Sequence, residues 1–262
     1  MNNTFAYRRS LVATIFASLL LGGCGGDSND NAEEAPRLRI EGGFIGTFTG
    51  AKNGQAFRQI VLENEDVWMF YGSQAGSAFY VGGLIQGRFT QTGQSLSSTN
   101  TVDFGAMAAV PGSTNAIYDT AAATLSGTFS SPSFGINAPF ANASGLSSLY
   151  NYSNAASLPT IQGNWRTSSI RGRVVDLQVT LGGDISGVSI SDCNFSGRIA
   201  PRASLKNVFD VSLTLGPAPC GSPGETATGI AIAYPLADGQ TELLLAFVNA
   251  GRTWGWALSG RR

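Results

Sequence analysis

Histidine is absent from this chain. Its absence excludes Ser-His-Asp and Cys-His catalytic units. It excludes zinc sites of the His₃ or His₂Glu kind and any imidazole proton shuttle near neutral pH. Lysine is nearly absent, with only Lys52 and Lys206 among 16 basic residues. No Ser-x-x-Lys occurs, and the nearest piece, Thr49-Gly50-Ala51-Lys52, reads as a hairpin turn. There is no Gly-x-Ser-x-Gly elbow and no phosphate-binding glycine loop. Charged residues make up 13% of the chain, and no basic run exists beyond Arg261-Arg262. That argues against recognition of nucleic acid or anionic lipid by charge. No apolar run is long enough to span a bilayer, and no stretch after the first 23 residues carries a sustained helical stripe.

The amino terminus carries the most specific signal. Arg8-Arg9 precedes the apolar run Leu11 to Leu21, which ends in Leu21-Gly22-Gly23-Cys24. A basic start, a short apolar stretch, small residues and a cysteine form a secretory signal with a lipobox. The pattern resembles bacterial lipoprotein precursors. That resemblance implies removal of residues 1–23, acylation of Cys24 and an oxidising compartment outside the cytoplasm. Each buried CH₂ adds about 0.8 kcal/mol of membrane affinity, so several acyl chains make a stable anchor. Gly25, where some lipoproteins carry aspartate, points by the same resemblance to the outer membrane. A plain cleaved signal with an incidental cysteine, or an uncleaved anchor, is the competing reading.

Cleavage after Gly23 leaves 239 residues with 14 basic and 17 acidic side chains, a net charge near −3. The 34 glycines and an apolar fraction of 43% suit a β protein with frequent tight turns and argue against disorder. Three cysteines occur. With Cys24 lipidated, Cys193 and Cys220 remain, and in an exported protein a disulfide is the natural reading. Two buried thiols or a redox pair are the alternatives, although the spacing is not Cys-x-x-Cys.

The chain divides into a signal (1–23), a flexible tether (24–40), an amino-terminal β lobe (41–130), a linker or long loop (131–158) and a carboxyl-terminal β lobe (159–262). The tether is small, polar and acidic. Asp27, Asn29 and Asn31 imitate the start of a calcium loop there, but Ala32 and Leu38 replace its glycine and its glutamate. The first lobe shows short runs such as Val67-Trp68-Met69-Phe70-Tyr71, separated by turns such as Lys52-Asn53-Gly54. The second lobe predicts eight strands: Ile161–Thr167, Arg173–Leu181, Ile185–Ile190, Cys193–Ala200, Val208–Leu215, Thr226–Tyr234, Glu242–Val248 and Thr253–Leu258. The expected fold is all-β, in two antiparallel meander lobes, with the second an eight-stranded barrel; a β-sandwich is the alternative. Gly-x-aromatic pieces starting at Gly46, Gly87 and Gly127, and again at Gly163, suggest duplication. Glycines at barrel bends explain them equally well.

The segment Ser191 to Arg202, with Cys193, Phe195, Gly197 and Pro201, then Asn207-Val208-Phe209 and Cys220, resembles a group of uncharacterised proteobacterial lipoproteins. Gly46 to Gly50 matches their opening Gly-x-aromatic-x-Gly strand. The resemblance implies a β fold and a disulfide, and no activity. At the level of architecture the plan also resembles surface binding proteins of pathogenic bacteria and avidin-type barrels. Fold alone does not assign function.

Three readings follow. The first is a lipid-anchored, non-enzymatic envelope protein with a binding or structural role. Its partner would be a protein or a small apolar ligand, and Trp68, Tyr71, Trp254 and Trp256 are candidate contacts. An aromatic in a meander strand is also ordinary core. The second is an inhibitor or chaperone of a periplasmic enzyme, using the stiff loop Pro217 to Pro223. The third is a carboxylate hydrolase built from Glu63, Glu65 and Asp66, or from Asp184 and Asp192. No cofactor, metal or catalytic residue is expected under the first reading.

Overall fold

A computed structural model describes residues 38–105, 108–145, 150–189 and 193–262. Cys24, the signal and most of the tether lie outside the described residues. Arg37–Arg262 forms one compact unit.

The first half supplies nine strands: β1 (Gly42–Phe48), β2 (Ala56–Val61), β3 (Asp66–Ala75), β4 (Ala78–Arg88), β5 (Thr90–Thr92), β6 (Ser95–Phe104), β7 (Ala109–Asp119), β8 (Thr124–Ser131) and β9 (Ile136–Gly145). Neighbours pair in the order β4-β3-β2-β1-β9-β8-β7-β6-β5, and a β4–β6 pairing closes eight of them into a barrel. The second half supplies β10 (Gly163–Ser169), β11 (Val174–Val179), β12 (Asp184–Ser189), β13 (Asn194–Pro201), β14 (Phe209–Leu215), β15 (Thr226–Pro235), β16 (Thr241–Asn249) and β17 (Gly255–Arg261). These form a second closed barrel in simple chain order. The expected all-β, two-lobed fold is therefore present, and both lobes are closed eight-stranded antiparallel barrels. Closure removes the exposed edges that a sandwich would leave.

One boundary differs from the sequence reading. Part of the segment read as a linker (131–158) is β9, which pairs with β1 on one side and β8 on the other. Without it the first barrel has no closing strand between β1 and β8. Its low-propensity sequence, Ile-Asn-Ala-Pro-Phe-Ala-Asn-Ala, hides it, since a proline argues against an interior strand. Phe140 of β9 is nevertheless buried against Phe48 and Phe57.

Alternation places the cores. In β11, β12 and β14 every second residue is buried and its neighbours face water. Trp165, Leu177, Phe195, Leu213, Phe247 and Leu258 fill the second barrel. Phe48, Phe57, Met69, Tyr71, Leu125 and Phe129 fill the first. Alternation fails in β2, where all six residues are buried, and in β16, where eight of nine are. The outward faces of these strands meet: Ile60, Trp68, Phe70 and Leu84 of the first barrel pack with Ile230, Ile232, Leu244 and Ala246 of the second. Strands buried on both faces read as continuous apolar runs, as in Leu243 to Val248.

Glycines sit where strands approach closely. A side chain at Gly46 would meet the Ala141 carbonyl oxygen at 2.1 Å, and one at Gly127 would meet that of Asn115 at 2.4 Å. Close backbone approach thus accounts for two members of the Gly-x-aromatic series.

Candidate functional site

The junction between the barrels begins with an incomplete strand edge. β6 pairs with β4 only over Leu84 to Gln86. Toward Ala78 that edge of β4 is taken up by the second barrel. Phe79 donates its backbone N–H to the Glu242 carboxylate (3.3 Å), and Val81 donates to the Ser259 hydroxyl (3.1 Å). Side chains of β16 and β17 thereby satisfy backbone donors that would otherwise be buried unpaired.

A buried polar chain continues from this edge. Glu242 accepts a short hydrogen bond from the Tyr234 hydroxyl, which accepts one from Arg58 Nε at 3.2 Å. Arg58 also donates to the Phe57 carbonyl oxygen (3.1 Å) and the Gln74 side chain (3.0 Å), and its guanidinium lies 4.7 Å from the Phe79 ring centre. Arg58, Tyr234 and Glu242 are all at most 3% exposed. Burial pushes the Glu242 carboxyl above its ordinary range, although Tyr234 and Arg58 oppose the shift.

Beside the junction lies a groove of about 570 Å³ that both barrels line, with Asp66, Trp68, Arg198, Arg202, Asp210 and Thr228 among its residues. Its charges are mutually engaged. Arg202 bridges Glu63 (2.7 Å) and Asp210, Arg88 holds Asp66 (2.8 Å), and Arg198 holds Asp184 (2.8 Å). Burial raises the Glu63 carboxyl, but hydrogen bonds led by Arg202 outweigh it and hold the group at about 2. Glu63 is thus ionised at neutral pH and has no proton to give as a general acid. Of the other hydrolase candidates, Glu65 lies exposed in the β2–β3 turn, and Asp192 lies outside the described residues.

The four candidate aromatic contacts separate. Trp68 and Tyr71, expected as ligand contacts, are 6% and 4% exposed. Trp68 belongs to the packing between barrels, and Tyr71 points into the first barrel. They alternate along a strand buried on both faces, so each serves a different core. Trp254 and Trp256 are half-buried at the second barrel and pack on Phe247 with ring centres 6.2 and 6.3 Å away. The Trp254 indole donates to Glu225 at 2.5 Å. Asn249 organises the β16–β17 turn, accepting from the backbone of Thr253 and Trp254 and donating to Glu225.

Cys193 and Cys220 are joined in a disulfide, across 27 residues. It pins the Pro217 to Pro223 loop at its middle residue, and Pro217, Ala218 and Pro219 are exposed.

A second buried polar group was not singled out from sequence. Asp103 of β6 points into the first barrel and is 4% exposed. Its Oδ1 accepts from the Tyr71 hydroxyl at 2.6 Å, and its Oδ2 lies 2.8 Å from Lys52 Nζ. Lys52 comes from the short 3₁₀ turn Gly50–Lys52 between β1 and β2. Its ammonium also sits 3.8 Å from the centre of the Tyr71 ring. Tyr71 pairs across the sheet with Gly83, where a side chain would overlap its ring. Burial pushes the Tyr71 hydroxyl far up, with Asp103 adding to the shift. The sequence signal was a carboxylate inside the alternating run Thr101-Val102-Asp103-Phe104.

No family model matches the chain, and no curated protein matches it. Among solved structures, it is similar to a protein of Bacteroides fragilis that is provisionally described as an outer membrane protein. The two are 11% identical, the match covers 85% of this chain and 96% of the other, and the TM-score is 0.27. At that level the likeness carries no functional argument.

Proposed function

We propose that this chain is a lipid-anchored, non-enzymatic protein of the outer membrane that binds a partner through the groove between its two barrels. The observation that carries the binding surface is the way the interiors are filled. Aromatic and aliphatic side chains occupy both barrels, as is usual for barrels of eight strands. The shared groove of about 570 Å³ has the size of a ligand site and is built by both halves. The lipobox ending at Cys24 supports the anchor, and the Cys193–Cys220 disulfide suits an oxidising compartment.

Protease treatment of intact cells tests the location, with Cys24→Ala as the unlipidated control. Degradation of wild type without lysis is expected for surface display and directs the search to environmental ligands. Protection until the outer membrane is opened means that the chain faces the periplasm and directs the search to a periplasmic partner. Recovery of the wild-type chain in the soluble fraction, like Cys24→Ala, sinks the anchored reading.

The inhibitor reading keeps one specific observation, an exposed proline-flanked loop pinned by the disulfide. Photo-crosslinkers placed at Ala218 and at Thr228 separate the two. Adducts confined to position 218 favour the loop, and adducts confined to position 228 favour the groove.

A further inference from the structure

We infer that Lys52 and Asp103 join in an intramolecular amide bond that locks the first barrel. The reacting groups are already in contact, with Lys52 Nζ 2.8 Å from Asp103 Oδ2. Both are withdrawn from water, with side chains 11% and 5% exposed. Two charges withdrawn from water carry a desolvation penalty that their attraction must offset. An amide removes both charges at once.

The step balances without any further reactant. One proton passes from the Lys52 ammonium to the Asp103 carboxylate, leaving a neutral amine and a neutral acid. Nζ attacks Cγ, and negative charge gathers on Oδ1. The Tyr71 hydroxyl, 2.6 Å from Oδ1, is placed to stabilise that charge. The tetrahedral adduct collapses as the C–Oδ2 bond breaks. Oδ2 leaves as water, carrying the acid proton and one proton from the amine. Intramolecular groups that reach a well-aligned attack geometry react with effective molarities up to about 10⁵–10⁸ M. Exclusion of water from the barrel opposes hydrolysis.

The position explains the use. The β4–β6 seam that closes the first barrel has three residue pairs, and Asp103 is in one of them. β3 and β4, in contrast, pair along ten residues. The described first barrel contains no cysteine, whereas the second is cross-linked by its disulfide. A link from the β1–β2 turn would tie β6 to strands on the far side of that seam, so the barrel would stay closed if the short pairing opened. The choice of residue agrees: basic side chains here are arginine except at two positions. Arginine would keep the ion pair but is a poor nucleophile that stays protonated.

Mass spectrometry of the reduced full-length chain decides the matter. The expected result is a chain lighter by one water, with Lys52 resistant to trypsin and residues 40–58 recovered joined to residues 89–166. Lys52→Arg and Asp103→Ala should each restore the full mass. Tyr71→Phe should slow formation by about 10²-fold in a time course after refolding, the usual effect of removing one such donor. A wild-type chain of full mass with Lys52 in a linear peptide overturns the inference. So does a lost water mapped elsewhere, for example to the more exposed Lys206–Glu41 pair.

Discussion

At the scale of single residues, the informative side chains are polar ones placed where their strands should be apolar. Arg58 lies between Phe57 and Gln59 in a fully buried strand, and Glu242 opens the run that becomes β16. Neither belongs to a sequence motif. Their partners are remote in the chain: Arg58 meets Tyr234 across 176 positions. The Tyr234 hydroxyl both accepts from Arg58 and donates to Glu242, so its removal leaves two buried ionisable groups short of a partner. Tyr234→Phe should therefore destabilise the fold by about 2–3 kcal/mol. That corresponds to a fall in Tm of about 5–10 °C for a chain of this size, measurable by calorimetry. A change within error would mean that water replaces the hydroxyl and that the junction is wetter than its burial implies. The candidate aromatics teach the converse. Trp68 and Tyr71 were legible as strand residues, but which of them meets water was not. That depends on a second barrel covering the outer face.

At the scale of elements, strand positions were largely legible. The eight strands expected after residue 159 all exist, with ends displaced by three residues or fewer. Val175, Leu177 and Val179 show why: a strand with one wet face must alternate, and alternation is written in consecutive residues. β9 escaped because its propensity is weak and its neighbours hold it in place. The disulfide restricts the unfolded chain. Its 27-residue separation should contribute about 3–4 kcal/mol by the chain-entropy model. The pair Cys193→Ser and Cys220→Ser should lower the midpoint of denaturant unfolding and steepen its slope, because the unfolded chain is no longer cross-linked. An unchanged midpoint would show that the loop is held by its strands and the bond adds little.

At the scale of the whole molecule, the two barrels share one apolar junction. Ile230, Ile232 and Leu244 of the second pack on Ile60, Phe70 and Leu84 of the first. Cutting the chain between the barrels would expose these faces and part of the β4 edge. Residues 150–262 expressed alone should aggregate or bind a hydrophobic dye, while the full chain unfolds in one cooperative transition. Two separate transitions in the full chain, with a soluble second half, would show that the barrels fold independently and that the junction is a loose contact.

Local chemistry was enough to predict the pairing of Cys193 with Cys220, the all-β class and most strands. Each of these is carried by residues adjacent in the chain or by simple exclusion, as with the missing histidine. Closure of the first barrel through β9, the covering of β4 by Glu242 and Ser259, and the meeting of Lys52 with Asp103 required the folded chain. These contacts join residues far apart in sequence, and no local period records which distant partner a buried side chain will find. The long apolar runs in β3 and β16 did record that both faces of those strands would be buried. What would bury the second face became visible only when the two barrels were seen together.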